Sequence, residues 1–375
     1  MAGFFALSYS PSTFAPIAIL TVFTPVVTLV ASLGLDQAYF RQLVISKAVR
    51  ASRRDIVVLS IVPIAILPLM LAVSSVIANM LGMSQLLLLL STLCGTLVAG
   101  SVLPLSAYLR AQRRTVSYLA LFASVAAVSV CVRGAAQYLG LPAGFAWLLG
   151  DFAVGVLGVV LAIFWHRRSS STAAKSSFGE LVSYGVPITI HGVFQWVLGS
   201  ADRIIYAVIL SPAAVGTYGA VYQFSGIFGA AASEVNKSGL HRYPGCQSAE
   251  LRRLMRRDRA IFIAIWAAGL PAALLAFVVL QAHGYEDAIK LGTCLYASFL
   301  PLAFYLPLAN TVSLLHGNSR WMSISSAGGA GVNVILNILL APVFQLYAGA
   351  IANAFGYAVM MFALFLLLRR GSVRQ

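Results

Sequence analysis

Charge is what this 375-residue sequence has least of: charged residues make up 9% and apolar residues 60%. A water-soluble domain carries about 25% charged residues. The chain cannot cover a water-facing surface, so soluble enzymes, disordered tails and fibrous proteins are excluded together. Acids are scarcer than bases, with 10 Asp and Glu against 25 Lys and Arg, for a net charge of +15. Cys94, Cys131, Cys246 and Cys294 lie far apart, which leaves neither a CxxC redox pair nor a metal knuckle. The five histidines are scattered, so no metal site is expected. A GxxxxGKS/T loop is missing, which argues against ATP hydrolysis. Arg41 is the first basic residue, so the first apolar run has no basic n-region of a secretory signal peptide. No cofactor and no catalytic residue is assigned.

What is present is a succession of long apolar runs, with a mean hydropathy of +0.90. Runs of this kind make membrane-spanning helices of about 20 residues each. A membrane β-barrel would show short alternating segments instead. Eleven spans are expected, at 14–35, 56–80, 86–108, 115–132, 144–165, 181–208, 214–236, 260–281, 288–310, 321–341 and 347–368. The fourth is short and free to run past Arg133. The connections sort by charge: 22 of the 25 basic residues fall in one alternating set, only Arg133 and Lys290 in the other, and Arg203 lies inside a span. Because basic residues are retained in the cytoplasm, this puts the N-terminus outside and the C-terminus inside. In this setting the positive charge signals orientation, and no nucleic-acid partner is expected.

The Ser-rich, basic stretch 166–180 reads as a flexible cytoplasmic linker between an N-terminal bundle, 1–165, and a C-terminal bundle, 181–375. Ser10-Pro11 at the start of the first span recurs as Ser211-Pro212 at the start of the seventh, an offset of 201 residues. Serine followed by proline is a helix-start signal. Shifting the sixth span by 201 places it before residue 8, so the expected architecture is an all-α, two-lobed, six-plus-six parallel repeat lacking its first helix.

Polar residues inside the spans are the candidates for function, because lipid tolerates them only where they face protein or water. In the sixth span Tyr184, His191, Gln195, Asp202 and Tyr206 fall within an arc of about 60° at roughly 100° per residue. Two readings stay open: the wall of a hydrated cavity, or interhelical hydrogen bonding that fixes packing. Arg203 lies beside the stripe and either meets an anion or snorkels to the interface. The seventh span carries a second seam with Tyr218, Tyr222, Ser225, Ser233 and Asn236. Asp151 and Arg133 are at similar depth and suit each other as partners. Asn333 and Asn337, four apart, suit interhelical bonding. Gly328-Gly329-Ala330-Gly331 reads as close helix packing rather than a dinucleotide loop, and His283-Gly-Tyr-Glu-Asp287 as a short external connection.

Ser183-Tyr184-Gly185-Val186-Pro187, Gly199-Ser200-Ala201-Asp202-Arg203, Ser211-Pro212, Val215-Gly216-Thr217-Tyr218 and Gly34-Leu35-Asp36-Gln37-Ala38-Tyr39-Phe40-Arg41 resemble segments of bacterial polysaccharide flippases. These belong to the multidrug/oligosaccharidyl-lipid/polysaccharide exporter superfamily. The resemblance covers nearly the whole chain and departs from the usual twelve or fourteen spans by the absent first helix. It implies an inner-membrane transporter, not an enzyme, that moves a polyprenyl-pyrophosphate-linked O-antigen or exopolysaccharide repeat unit outward by alternating access. Its partners would be that substrate, membrane lipids and other polysaccharide-assembly proteins. Arg203, Arg41 and Lys237 are the cations that would hold the pyrophosphate; Asp202, Gln195, His191, Tyr184, Tyr218 and Tyr222 complete the substrate-binding set. Two alternatives remain. A multidrug/cation antiporter of the same superfamily would need a deep carboxylate, and Asp36 and Asp202 lie near span ends. An oligosaccharide polymerase would need a large external loop, which the short external connections do not supply.

Overall fold

The computed structural model describes residues 6–46, 53–168, 177–243, 246–312 and 319–372, and among them every regular element is helical. Inside lipid only a helix or a closed barrel satisfies every backbone group internally. The helices are α1 Pro11–Ser32, α2 Leu35–Ser46, α3 Arg53–Leu81, α4 Gln85–Ala111, α5 Thr115–Tyr138, α6 Ala143–Arg168 and α7 Phe178–Ile209. After these come α8 Pro212–Ser225, α9 Ile227–Gly239, α10 Ser248–Ala282, α11 Ala288–Ser298, α12 Leu302–Asn310, α13 Ser319–Phe344 and α14 Tyr347–Ser372. Ten helical stretches among the described residues are long and apolar enough to cross a membrane, α11 and α12 together forming one of them.

Four expected spans take a different form, the ninth, 288–310, being the α11–α12 pair. The seventh, 214–236, is two helices broken at Gly226. Ser225 there turns its hydroxyl back on the Val221 carbonyl at 3.0 Å, and glycine, a poor helix former, follows it. The first span ends at Ser32. Leu33 and Gly34 adopt left-handed backbone angles, φ 47° and 62°, and turn the chain straight into α2. Arg41 therefore sits on a helix rather than in an open connection. Gly34 is required at that corner, since a Cβ would run into the Gly185 carbonyl. The eighth expected span, 260–281, is extended backward to Ser248 by a basic amphipathic segment. Arg133 lies inside α5, not in a connection, because the fourth span does run on to Tyr138.

The chain forms two compact units: residues Ile19–Val193, and Met1–Ala18 with Phe194–Gln375. The division falls inside α1 and α7, not at the linker expected over 166–180, of which residues 169–176 lie outside the described residues. Small residues explain why both helices serve two units. In the first unit α7 packs on the end of α1 through Gly185 and Gly192, the latter against Leu29. In the second, the start of α1 packs on α8, where Gly216 meets the Pro11 carbonyl and Gly219 meets Ala18. Ala18 and Gly219 are themselves related by the 201-residue offset. Within the first unit α4 packs on α2, α3 and α6, around Leu35, Tyr39, Ile56, Leu105, Leu121 and Trp165. Within the second, α11 packs on α8, α10 and α14, and α13 packs on α14. The Gly-rich segment of α13 serves that last contact: a Cβ on Gly329 would lie 2.6 Å from the Gly356 carbonyl.

Candidate functional site

Each unit buries a cluster of charged and polar side chains. In the unit containing the C-terminal helices, the cluster is built on the last turns of α7. Asp202 has no exposed surface, and Arg203 is only 3% exposed. The Tyr218 hydroxyl on α8 donates to Asp202 Oδ2, and the Arg203 backbone N–H donates to Oδ1 at 2.8 Å. Arg203 Nε stands 3.5 Å from Oδ1 without a hydrogen bond. This loose pairing is what neighbours one residue apart on a helix allow. The guanidinium instead folds back along the helix. Its Nη2 donates to the Gly199 carbonyl at 2.6 Å and to Ser200 Oγ at 3.3 Å. Its plane rests over the Tyr222 ring, with Cζ 4.0 Å from the centroid. Snorkelling is thus replaced by a cation–π contact inside protein.

The cluster continues across α13 and α14. The Tyr206 hydroxyl donates to Asn337 Oδ1 at 2.8 Å, Asn337 Nδ2 to Asn333 Oδ1 at 3.1 Å, and Asn333 Nδ2 to Asn353 Oδ1 at 2.9 Å. The rings pack in sequence: Tyr206 edge-on to Tyr218 at 4.9 Å, Tyr218 to Tyr222, Tyr222 to Phe299, and Phe299 to Tyr357. Gly349 makes room for the Tyr218 hydroxyl. Asp202 and Tyr206, both with no exposure, face protein, so for them interhelical hydrogen bonding, not a cavity wall, describes this conformation.

The polar stripe on α7 is divided between the units. Gln195 belongs with Asp202 and turns its amide toward Met360 Sδ. Tyr184 and His191, both partly exposed, belong to the 19–193 unit. There Tyr184 lies under the Arg41 guanidinium, 4.5 Å from Cζ to centroid. Lys237 is brought into neither group. It sits on α9, about two-fifths exposed, paired with Glu234 at 2.6 Å. Of the nine residues expected to bind substrate, Asp202, Arg203, Tyr218 and Tyr222 form one contiguous cluster, Gln195 lies on the same helix, and Arg41 stacks on Tyr184.

The second cluster is the expected Arg133–Asp151 pair. Arg133 Nη2 donates to Asp151 Oδ1, its Nε donates to the Trp147 carbonyl at 3.3 Å, and Cζ lies 3.3 Å from the Trp147 ring centroid. Thr24 donates to Asp151 Oδ2 at 3.4 Å and shares a 2.7 Å bond with Ser91. Sequence reasoning missed Asn353, Tyr357 and Phe299. Asn353 and Tyr357 are four apart on one face of α14, a signal of the same kind as Asn333 and Asn337.

Among the described residues, ten apolar stretches long enough to cross a membrane, with polar clusters buried in protein, are those of a multi-pass membrane protein. The fold is shared with an inward-facing multidrug resistance MATE family transporter of the MOP superfamily, at a TM-score of 0.62 and 13% identity over 100% of this chain and 92% of that one. It is shared with a MOP superfamily transporter from Pyrococcus furiosus at a TM-score of 0.64 and 15% identity, over 100% and 91%. A MATE transporter in the bent conformation matches at 0.58 and 13%, over 98% and 90%. No curated protein matches the chain. The family described as polysaccharide biosynthesis protein matches residues 9–240, and the chain belongs to that family.

Proposed function

We propose that this transporter moves a polyprenyl-pyrophosphate-linked oligosaccharide, such as an O-antigen or exopolysaccharide repeat unit, from the cytoplasmic to the outer leaflet of a bacterial inner membrane. The observation that carries the reading is a polysaccharide-biosynthesis family match in a chain with a transporter fold. The N-terminus is outside and the C-terminus cytoplasmic, by the charge of the connections. A membrane potential negative inside favours outward movement of an anion by about 2.3 kcal/mol per charge per 100 mV. Arg203 is the cation best suited to the pyrophosphate: among the described residues it has no close carboxylate partner beyond its own neighbour Asp202, and its planar fork matches phosphate oxygens.

A second reading, a multidrug/cation antiporter, is favoured by one observation: Asp36 and Asp202 are both buried, at 5% and 0% exposure, although the sequence placed them near span ends. The two readings separate in one experiment. Deleting the gene should cause lipid-linked repeat units to accumulate, without loss of resistance to cationic dyes. Loss of dye resistance with no accumulation would reverse the assignment. Arg203→Ala should stay in the membrane at normal abundance and reduce polysaccharide export by about ten-fold or more, the value of one charge-assisted hydrogen bond. Arg203→Lys should keep part of the activity. Cysteine labels at Ser248 and Gly284, in a background without the native cysteines, should be shielded and reactive, respectively, toward an impermeant external reagent.

A further inference from the structure

Helix α10 is longer than its membrane crossing needs. It runs 35 residues, about 52 Å at 1.5 Å per residue, against a hydrocarbon core of about 30 Å. Its uncharged part begins at Ala260. The preceding turns, from Ser248 to Arg259, therefore stand at and beyond the edge of the hydrocarbon. The headgroup layer on each side is only about 5–8 Å thick, and phosphate is the charged group concentrated there.

These turns carry arginines in an ordered way. Arg252, Arg256 and Arg259 stand at i, i+4 and i+7, within an arc of about 60° and over about 10 Å of helix. Arg252 and Arg256 are exposed, with Arg253 beside them. Arg259, at the hydrocarbon end, lies with Cζ 5.2 Å from the centroid of the Phe304 ring, and its buried Nε has no hydrogen-bond partner among the described residues. The opposite face is pinned to the protein. Leu254 and Asp258 are buried, and the Tyr243 hydroxyl donates to Asp258 Oδ2 at 2.9 Å. Burial pushes the Tyr243 phenol up from its ordinary value, so it remains a donor at neutral pH. Arg257 is engaged by Asp258 at 3.0 Å. Glu250 lies about 160° around the helix from Arg252 and does not face the row.

We propose that Arg252, Arg256 and Arg259 form a docking row for the phosphate of anionic phospholipids, with α10 held at fixed depth by the Tyr243–Asp258 contact. The depth argues for resident lipid: the row spans the layer where phosphodiesters sit, and its free charges all have one sign. The inference depends on the membrane placement and not on which cargo is carried.

The test uses the full-length protein, purified and exposed to equimolar phosphatidylglycerol and phosphatidylcholine, with bound lipids counted by native mass spectrometry. Wild type should retain phosphatidylglycerol preferentially. R252Q/R256Q should lower that preference by about 25-fold, five-fold for each basic residue near an anionic surface. R252K/R256K should keep most of it, and R113Q/R114Q, an equal charge loss on another connection, should keep it in full. The proposal is overturned if wild type shows no preference, if R252Q/R256Q retains it, or if R113Q/R114Q loses as much. Preferential retention of added polyprenyl pyrophosphate over phosphatidylglycerol, abolished by R252Q/R256Q, would reassign the row to substrate capture. Should R252Q/R256Q fail to insert, the wild-type preference and its survival in R252K/R256K decide.

Discussion

The two units solve the same problem with different chemistry. Each contains a two-helix hairpin, α5–α6 in one and α13–α14 in the other, whose starts are displaced by 204 residues (319−115 and 347−143). Each hairpin holds a polar pair, at positions along its own helices that match to within about one helical turn. In the first it is an ion pair, Arg133 with Asp151. In the second it is a neutral amide pair, Asn333 with Asn353. A glycine on the second helix makes room in both cases, Gly150 for the Arg133 side chain and Gly356 for Asn333. The difference lies in where charge is satisfied. In the 19–193 unit, cation and anion cancel across two helices. In the other, Asp202 leans on a tyrosine hydroxyl, and Arg203 leans on a carbonyl, a serine and an aromatic face. Only that second arrangement leaves a guanidinium that an incoming anion can recruit without first breaking an interhelical ion pair.

Breaking the ion pair should have the largest effect on stability. Arg133→Ala or Asp151→Ala leaves one buried charge uncompensated, a loss of about 3–5 kcal/mol. Arg133→Met with Asp151→Leu should restore stability to within about 1 kcal/mol, because a buried pair replaced whole by apolar groups loses little. Thermal unfolding of the detergent-solubilised protein measures both. Single variants as stable as wild type would remove the pair from any structural role.

This pair was legible in the sequence because two opposite charges at one depth in consecutive spans have few other partners in lipid. The helical class and most span positions were legible for the same physical reason: lipid demands long uncharged runs. The break at Gly226 was not, since glycine is common in unbroken membrane helices and only Ser225 beside it weakens the turn. Nor was the division into units. Spans that are apolar all round carry no mark of which neighbour they pack on, and the contacts that settle it, Gly216 on Pro11 and Gly185 on Gly34, join residues more than 150 positions apart. The sequence showed Arg203 lying beside the polar stripe, but not that its side chain would turn inward. That depends on the Tyr222 ring being under it.

A middle-sized effect should follow from Tyr218→Phe. It removes a donor from a fully buried carboxylate, a change of about 1–3 kcal/mol, while the ring contacts with Tyr206 and Tyr222 persist. Adding Asp202→Asn to that variant should recover part of the loss, since a neutral amide needs the missing donor less than a carboxylate does. The same Asp202→Asn change in the ion-pair variants should simply add to their loss, because each cluster belongs to its own unit. Recovery in the Tyr218→Phe background but not in the Arg133→Ala background would show that each unit balances its own acid.

The smallest effect should come from the asparagines. Asn333 Nδ2 donates to Asn353 Oδ1, and Asn337 Nδ2 returns to Asn333, so the bonds are neutral and partly redundant. Interhelical hydrogen bonds of this kind in membranes average about 0.6 kcal/mol and reach about 1.7, since a separated amide still finds other partners. A double-mutant cycle with Asn333→Ala and Asn353→Ala should therefore give a coupling of about 0.6 kcal/mol, several-fold below that of Arg133 and Asp151 in the matching cycle. Asn353→Asp sharpens the contrast. It places an acid at a position comparable to that of Asp151 in its hairpin, with the sole arginine of the facing helix, Arg320, more than three turns away, and should cost more than Asn353→Ala. An asparagine coupling as large as that of the ion pair would mean that formal charge is not what separates the two hairpins, and that the Arg203 guanidinium is no more available to an anion than that of Arg133.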